Sequence, residues 1–494
     1  MKPYGALLTT LLIGGCQLLP GHTSSAPSKK LPKSVGKTTT TAPTVSSADG
    51  PQPINTDIVG VTCFRGNQTR TYYGEGPIPT GHVEMLWKSP IGGAPSGHWS
   101  GVGWTGQPLI VEWPKATRQY MNFLKPGGPE REIIVGALDG QVHFFDAETG
   151  KPSRKTLPTP GRYPIKGTVS VDPRGFPLLY VGCGVNVGGK PGYRVFSLLD
   201  FHEVLYLPAF DPTAPRKWPG SDSNVLMMDD TFYLPAENGL FYKVKLNASW
   251  ENGKLSVNPK VQKFLLSKPG TESSMSVLDG MGYCTDNHGG FFRIDLEDPK
   301  KIKKLAELGD DTDSSTVIDK EGNFYVGIEK DKRTDPNAKG IIYKLTKDGK
   351  ILWRWQFQAG SITVVKPPNN PINGGILSTG ALSEDQKTIY YTTSHHPHIG
   401  RGFLVALDTA TGKLRWKKPL TGFAWSSPIV RGGVVFAADS SGSVFIVDAE
   451  TGETRMDQER ISAGANVESS PIVWKGRVYV GVRGGGLACF GVKK

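Results

Sequence analysis

Three groups of side chains in this sequence are of types that can do chemistry. The first is acidic: Asp222, Glu272, Asp311, Asp313 and Glu468, with one base, Lys166, and two indoles, Trp104 and Trp425. Carboxylates gathered in one place can hold a hard cation such as Ca²⁺, which takes six or more oxygens. Asp310-Asp-Thr-Asp313 is not an EF-hand loop, because it lacks the glycine and the closing glutamate of that spacing. The second group is His395-His396-Pro397-His398, three imidazoles within reach of one transition metal. Pro397 interrupts their spacing, and no acid or thiol stands beside them. The third is five cysteines, Cys16, Cys63, Cys183, Cys284 and Cys489, none in a C-x-x-C or adjacent pair, which argues against zinc and thioredoxin chemistry. No G-x-S-x-G, H-E-x-x-H or P-loop is present, and Arg483-Gly-Gly-Gly486 is a turn before a strand.

What would bring the acids together is a repeat. Phe423 to Asp457 reads as three short strands, Ser427–Val430, Val434–Ala437 and Val444–Val447, closed by Asp448-Ala-Glu-Thr-Gly452 before a fourth, outer strand. The aspartate can fold its carboxylate onto backbone N–H groups ahead of it, and the glycine can take positive φ. The same turn recurs at Asp146–Gly150 and Asp408–Gly412. Innermost strands near Thr105, Gly167, Ser223, Ser274, Ser314, Thr379, Ser427 and Ser470 give eight units. A four-stranded meander cannot bury both faces alone, so repeated units must stack. The expected fold is all-β: an eight-bladed β-propeller of four-stranded antiparallel blades over residues 57–494.

The last unit, Ser469 to Phe490, supplies only three strands. Val83-Glu-Met-Leu-Trp-Lys88 matches the fourth strands at Leu352–Trp355 and Leu414–Trp416, and is expected to complete the ring and remove its free edges.

Residues 1–16 read as an export signal ending in Leu12-Ile-Gly-Gly-Cys16, the pattern of bacterial lipoprotein processing, with Cys16 lipidated. The apolar run is too short to span a bilayer, so the lipid anchors without crossing. Residues 17–56 are rich in Ser, Thr, Pro and Lys, and read as a disordered tether. Gln17 is not the aspartate that commonly retains enterobacterial lipoproteins at the inner membrane, which favours the outer membrane. The net charge of +12 comes from scattered bases with acids between them, without the basic stripe of a nucleic-acid binder. An exported chain can form disulfides, and ring closure would bring Cys63 toward Cys489; the alternative is four buried, unpaired thiols.

The units resemble the pyrroloquinoline-quinone-type (PQQ-like) β-propeller repeat: A-x-D-x-x-T-G-x-x-x-W is matched at Ala406, Asp408, Thr411, Gly412 and Trp416, and S-S-P at Ser426 and Ser469. That family includes quinoprotein alcohol dehydrogenases and the propeller lipoprotein of the outer-membrane β-barrel assembly machinery. Phe64–Gly74, Gly103–Pro108 and Gly309–Asp319 are similar to segments of uncharacterised bacterial propellers of this superfamily. Quinone-dependent dehydrogenases of this fold use an adjacent Cys-Cys pair, a stacked tryptophan and a calcium held by acidic and amide side chains. This chain has no such pair, so PQQ is not expected.

Two function classes follow. One is a lipid-anchored, monomeric envelope propeller that docks a protein, peptide or glycan and catalyses nothing. The other is a quinone- or Ca²⁺-dependent, oxidoreductase-like protein that uses an acidic channel mouth.

Overall fold

The computed structural model describes residues 57–93, 100–184, 189–331, 339–360 and 373–493. The export signal, Cys16 and the tether lie outside them. The described chain is an eight-bladed β-propeller. Blade 1 comprises Leu109–Glu112, Glu132–Gly136, Gln141–Asp146 and Leu157–Pro158. The innermost strands of blades 2 to 8 are Ser170–Val171, Leu226–Met228, Ser276–Leu278, Val317–Ile318, Ala381–Leu382, Ile429–Arg431 and Ile472–Trp474. Each begins two to four residues after the site the repeat pattern marks. The innermost strands are short because eight of them must converge on one axis.

Val83–Ser89 pairs antiparallel with Gly486–Val492 and is the outer strand of blade 8, as the sequence predicts. The last blade is thereby completed by a strand from the chain's beginning, and the ring has no open seam.

Neighbouring blades interlock through the repeat motif. Asp448 Oδ1 accepts the N–H groups of Glu450 and Thr451, both at 2.9 Å, and Gly452 sits at φ 75°. That turn is the seat for an indole of the preceding blade: Trp416 donates its Nε1–H to Ala449 O at 3.1 Å. Trp353 does the same to Thr409 O at 2.9 Å one blade earlier. The recurring spacing of Asp, Gly and Trp within one repeat is thus a contact between two repeats.

Two insertions escape the repeat. Lys115–Arg118 is a single helical turn, and Ser249–Glu251 pairs with Lys254–Ser256 in a hairpin. They meet where Trp250 Nε1 donates to Thr117 Oγ1 at 3.0 Å.

Candidate functional site

The site is built on the starts of the innermost strands, and a belt of hydrogen bonds fixes those starts. Gln107 N donates to Thr168 Oγ1 at 2.8 Å, Asn224 N to Ser274 Oγ at 3.0 Å and Ser274 N to Ser315 Oγ at 2.8 Å. Ser315 N then donates to Thr379 Oγ1 at 3.0 Å, and Thr379 N to Ser427 Oγ at 2.9 Å. Asn224 Nδ2 to Thr168 O, Ser426 Oγ to Ser469 O and Ser470 N to Gly106 O carry the belt across the other three junctions. The Ser and Thr residues that open the units are therefore buried couplers between blades.

Two residues before the belt, each blade presents one side chain to the channel mouth. In chain order these are Thr105, Lys166, Asp222, Glu272, Asp313, Leu377, Trp425 and Glu468. Blades 3 to 5 are acidic. Blades 6 and 7 are apolar, and Trp104 beside Thr105 reaches them: its ring meets Trp425 edge-on at 5.3 Å. Lys166 Nζ lies 4.5 Å over the Trp104 ring and pairs with Asp222. Glu468 turns away from the acids, accepting Trp104 N at 2.9 Å and Arg483 Nη1 at 2.7 Å.

The acids of blades 3 to 5 form two triads. Asp222, Glu237 and Glu272 bring carboxylate oxygens within 4.8 Å of one another, and so do Asp311, Asp313 and Glu329. Glu237 and Glu329 are 0% and 2% exposed, and each has one oxygen, Oε2, without a hydrogen-bond partner. Glu237 Oε1 accepts Asp222 N at 2.7 Å, while Glu329 Oε1 accepts Asn373 Nδ2 at 3.0 Å. Burial, and then the neighbouring carboxylates, hold Glu237, Asp311, Asp313 and Glu329 well above the usual carboxylate range. Asp222 is pushed up to about 6 by burial, with Glu272 adding and Lys166 opposing. For Lys166, burial works against the ammonium, but Asp222, Glu272 and Glu237 outweigh it and raise its pKa.

Sequence reasoning placed Lys166, Asp222, Glu272, Asp311, Asp313, Trp104 and Trp425 at this mouth, and the structure gathers them there. It missed Glu237 and Glu329. Both lie just where a second strand gives way to the loop before the third, on the face already identified. That placement was the available signal.

The floor of the mouth was not foreseen at all. Residues 58–75 run inside the ring of innermost strands and bond to every blade. Val59–Val61 pairs antiparallel with Leu109–Glu112 of blade 1, and Gly74–Glu75 runs parallel to blade 8. Val171 N, Val277 N and Ile318 N donate to Thr62 O, Gln68 O and Thr69 O, reaching blades 2, 4 and 5. Phe64 N donates to Asn224 Oδ1 of blade 3 at 3.2 Å. Arg65 Nη2 bridges Thr379 O of blade 6 and Pro428 O of blade 7, at 3.0 and 2.8 Å. The channel is filled by its own chain, and the acidic mouth is the open end of a closed recess.

The histidines do not share a centre. His395 is buried against Phe423, with ring centroids 4.6 Å apart, and its Nδ1 accepts Gly400 N. His396 packs on Phe357 and donates Nδ1–H to Gln358 O, while His398 is exposed. Burial lowers His395 to about 4, which keeps it neutral.

The Cys63–Cys489 disulfide is not formed. All four cysteines of the described chain are free and buried. Cys63 lies in the channel segment among Leu226, Met275 and Val277 of blades 3 and 4, whereas Cys489 packs with Trp474 and Tyr479 of blade 8. Ring closure does not bring them together because the lead-in crosses the channel before it reaches the closing strand.

This architecture defines an eight-bladed β-propeller. Residues 338–493, the last three blades and part of the fifth, match the family described as outer membrane protein assembly factor BamB. No curated protein matches the sequence. Among solved structures, the quinohemoprotein alcohol dehydrogenase from Comamonas testosteroni is similar at 12% identity over 88% of this chain and 81% of that chain, with a TM-score of 0.57. The Dos1 propeller is 11% identical over 84% of this chain and 95% of that chain, with a TM-score of 0.48. At these identities the likeness is one of fold.

Proposed function

We propose that this chain is a binding propeller of the bacterial cell envelope, held to the outer membrane by lipid on Cys16, that docks a partner through its acidic mouth. The name of the matched family points to the envelope, and the lipoprotein signal and tether agree with it. The observation that carries the reading is the pair of carboxylate triads, each with one enclosed glutamate, above a channel filled by its own chain. Carboxylates with unmet hydrogen-bonding capacity, facing an apolar arc of Leu377, Trp104 and Trp425, suit a partner that inserts a basic side chain. A peptide segment carrying Lys or Arg has that chemistry.

The lining does not suit a quinone cofactor. PQQ is itself a polycarboxylate, and the six acids of the two triads would oppose it. The Trp104 face is taken by Lys166, and no two cysteines are adjacent. Catalysis through such a cofactor is therefore no part of this reading.

The test is a photo-crosslinking residue at Thr105, on the mouth but outside the triads, in cells making the full chain. An adduct with an envelope protein is expected, and it should disappear when Asp311→Asn, Asp313→Asn and Glu329→Gln are added. An adduct that survives those substitutions, or no adduct, overturns the reading.

A second use of the same mouth is favoured by the triads alone. Three oxygens within 4.8 Å are spaced as ligands of one Ca²⁺, and Asp311, Asp313 and Glu329 are the better set. Asp222 and Glu237 already face Lys166 and Arg216.

A further inference from the structure

Strands alternate in direction, so the connection from the first to the second strand of every blade lies on the face opposite the mouth. In blades 3 to 6 that connection is a short acidic turn: Asp229-Asp230, Asp279, Asp319 with Glu321, and Glu384-Asp385. In blade 1 it is an insertion, residues 113–131. Residues 113–128 carry Lys115, Arg118 and Lys125 and no acid. They also hold two apolar side chains out to solvent, Tyr120 at 41% exposed and Leu124 at 54%.

The insertion is braced from several sides. Thr117 Oγ1 donates to Gly175 O at 2.7 Å, Asn122 Nδ2 to Leu199 O at 2.6 Å and Leu124 N to Ser153 O at 2.8 Å. Arg118 ties its own loop, from Nε to Gly127 O at 2.6 Å and from Nη2 to Gly128 O at 2.8 Å. The Trp250 ring of the hairpin stands edge-on to Tyr120 at 5.7 Å. Aromatic and aliphatic side chains held out beside bases have the composition of a contact at a membrane interface.

The chain enters the channel at the same place. The innermost strand of blade 1 runs from the mouth at Leu109 to the far face at Glu112, and Val59 pairs with Glu112. Val59, 45% exposed, therefore stands at the far end of the channel, beside the residue from which the insertion begins. Residues 1–56 thus join the fold on the face opposite the acids.

We propose that this face, through residues 113–128, lies on the anionic phospholipid surface of the membrane that holds the chain, so that the acidic mouth faces away from it. The proposal rests on the lipid anchoring at Cys16 put forward above. Bases turned to the lipid phosphates are attracted, whereas the carboxylates of the mouth would be repelled by them. Residues 17–56 span at most about 140 Å, which is enough to let either face meet the membrane. The insertion is what selects the face. Because the lipid already keeps the fold at the surface, a contact that would be weak in free solution suffices.

The test uses the full, lipid-modified chain on vesicles of phosphatidylethanolamine and phosphatidylglycerol that include spin-labelled phospholipid. A fluorophore is attached at Leu124→Cys or, on the mouth, at Thr105→Cys; the native thiols of the described chain are buried. The spin label is expected to quench the Leu124→Cys fluorophore several-fold more than the Thr105→Cys one. Adding Tyr120→Ser, Lys115→Glu and Lys125→Glu should remove the difference. Equal quenching at the two positions, or stronger quenching at the mouth, overturns this proposal alone. So does a Leu124→Cys fluorophore that the vesicles leave in water but that envelope protein shields, which would give the insertion to a protein. A chain that takes up no radiolabelled palmitate in cells, and does not float with the vesicles, overturns the lipid anchoring and this proposal with it.

Discussion

The indole of Trp416 rests on Gly452 of the following blade: a Cβ on that glycine would come within 2.7 Å of the ring. Trp353 with Gly412 and Trp87 with Gly150 repeat the relationship, each at 2.6 Å. The glycine is required twice over, by its φ of 75° and by the ring against it. Gly452→Ala is expected to cost about 1–3 kcal/mol, through strain and overpacking together. A thermal melt checks it. An unchanged melting temperature would mean that the blades are not joined by this contact.

The channel segment should matter to stability as much as any blade. Arg70→Met leaves the oxygens of Met275 and Phe64 buried without their donors, at roughly 1–3 kcal/mol for each group so orphaned. The urea midpoint should fall with the slope preserved, because the same surface is exposed on unfolding. A midpoint equal to that of the wild type would show that the segment fills the channel without holding it.

The acidic mouth should make stability depend on pH in an unusual direction. Glu237, Asp311, Asp313 and Glu329 have folded-state pKa values well above the usual range, and Asp222 has one of about 6. The folded state therefore holds protons that the unfolded state has released, so stability declines as pH rises. The contribution is fully present below the ordinary carboxylate pKa of about 4 and is lost as pH climbs through 6 and beyond. The metal-free protein should melt higher at pH 5 than at pH 7.5, and Asp313→Asn with Glu329→Gln should flatten the difference. A wild-type profile that rises with pH would contradict the buried acids.

Calcium provides the complementary measurement. At pH 7.5, Ca²⁺ at a hundred times its dissociation constant would add about 2.7 kcal/mol. The expected outcome is a higher melting temperature that EDTA reverses and that Asp311→Asn removes. Superimposable melts with and without Ca²⁺ would leave the mouth to a basic peptide alone.

What the sequence disclosed was whatever repeats. Asp448, Gly452 and Trp416 announce turn, chain reversal and strand by residue type and spacing, and Val83–Lys88 could be matched to the outer strand because other units carry its like. The channel segment has no counterpart among the repeats. Its arginines could be noted but not placed, since nothing local tells an arginine that ends on carbonyls of blades 6 and 7 from one on the surface. The proposed Cys63–Cys489 bond failed for the same reason: proximity in a closed ring depends on the path the lead-in takes. Reductant should accordingly leave the melting temperature unchanged. The mouth was half legible. Asp222 and Glu272 stand at repeat positions, whereas Glu237 stands just past the end of a second strand and Glu329 at the end of one, where the pattern is loosest.

Because Val83–Ser89 and residues 58–75 both serve blade 8, the earliest part of the fold to leave a ribosome or a translocation pore is among the last to find its partners. Trp104 N and Glu468 Oε2, 364 residues apart along the chain, meet only when the ring closes. Such distant pairing is slow to form. It also acts as a test of completeness: a chain interrupted before Gly486 has no edge to offer its waiting N-terminal strand, and exposes that failure as an unpaired strand and an open channel to any chaperone or protease that inspects it.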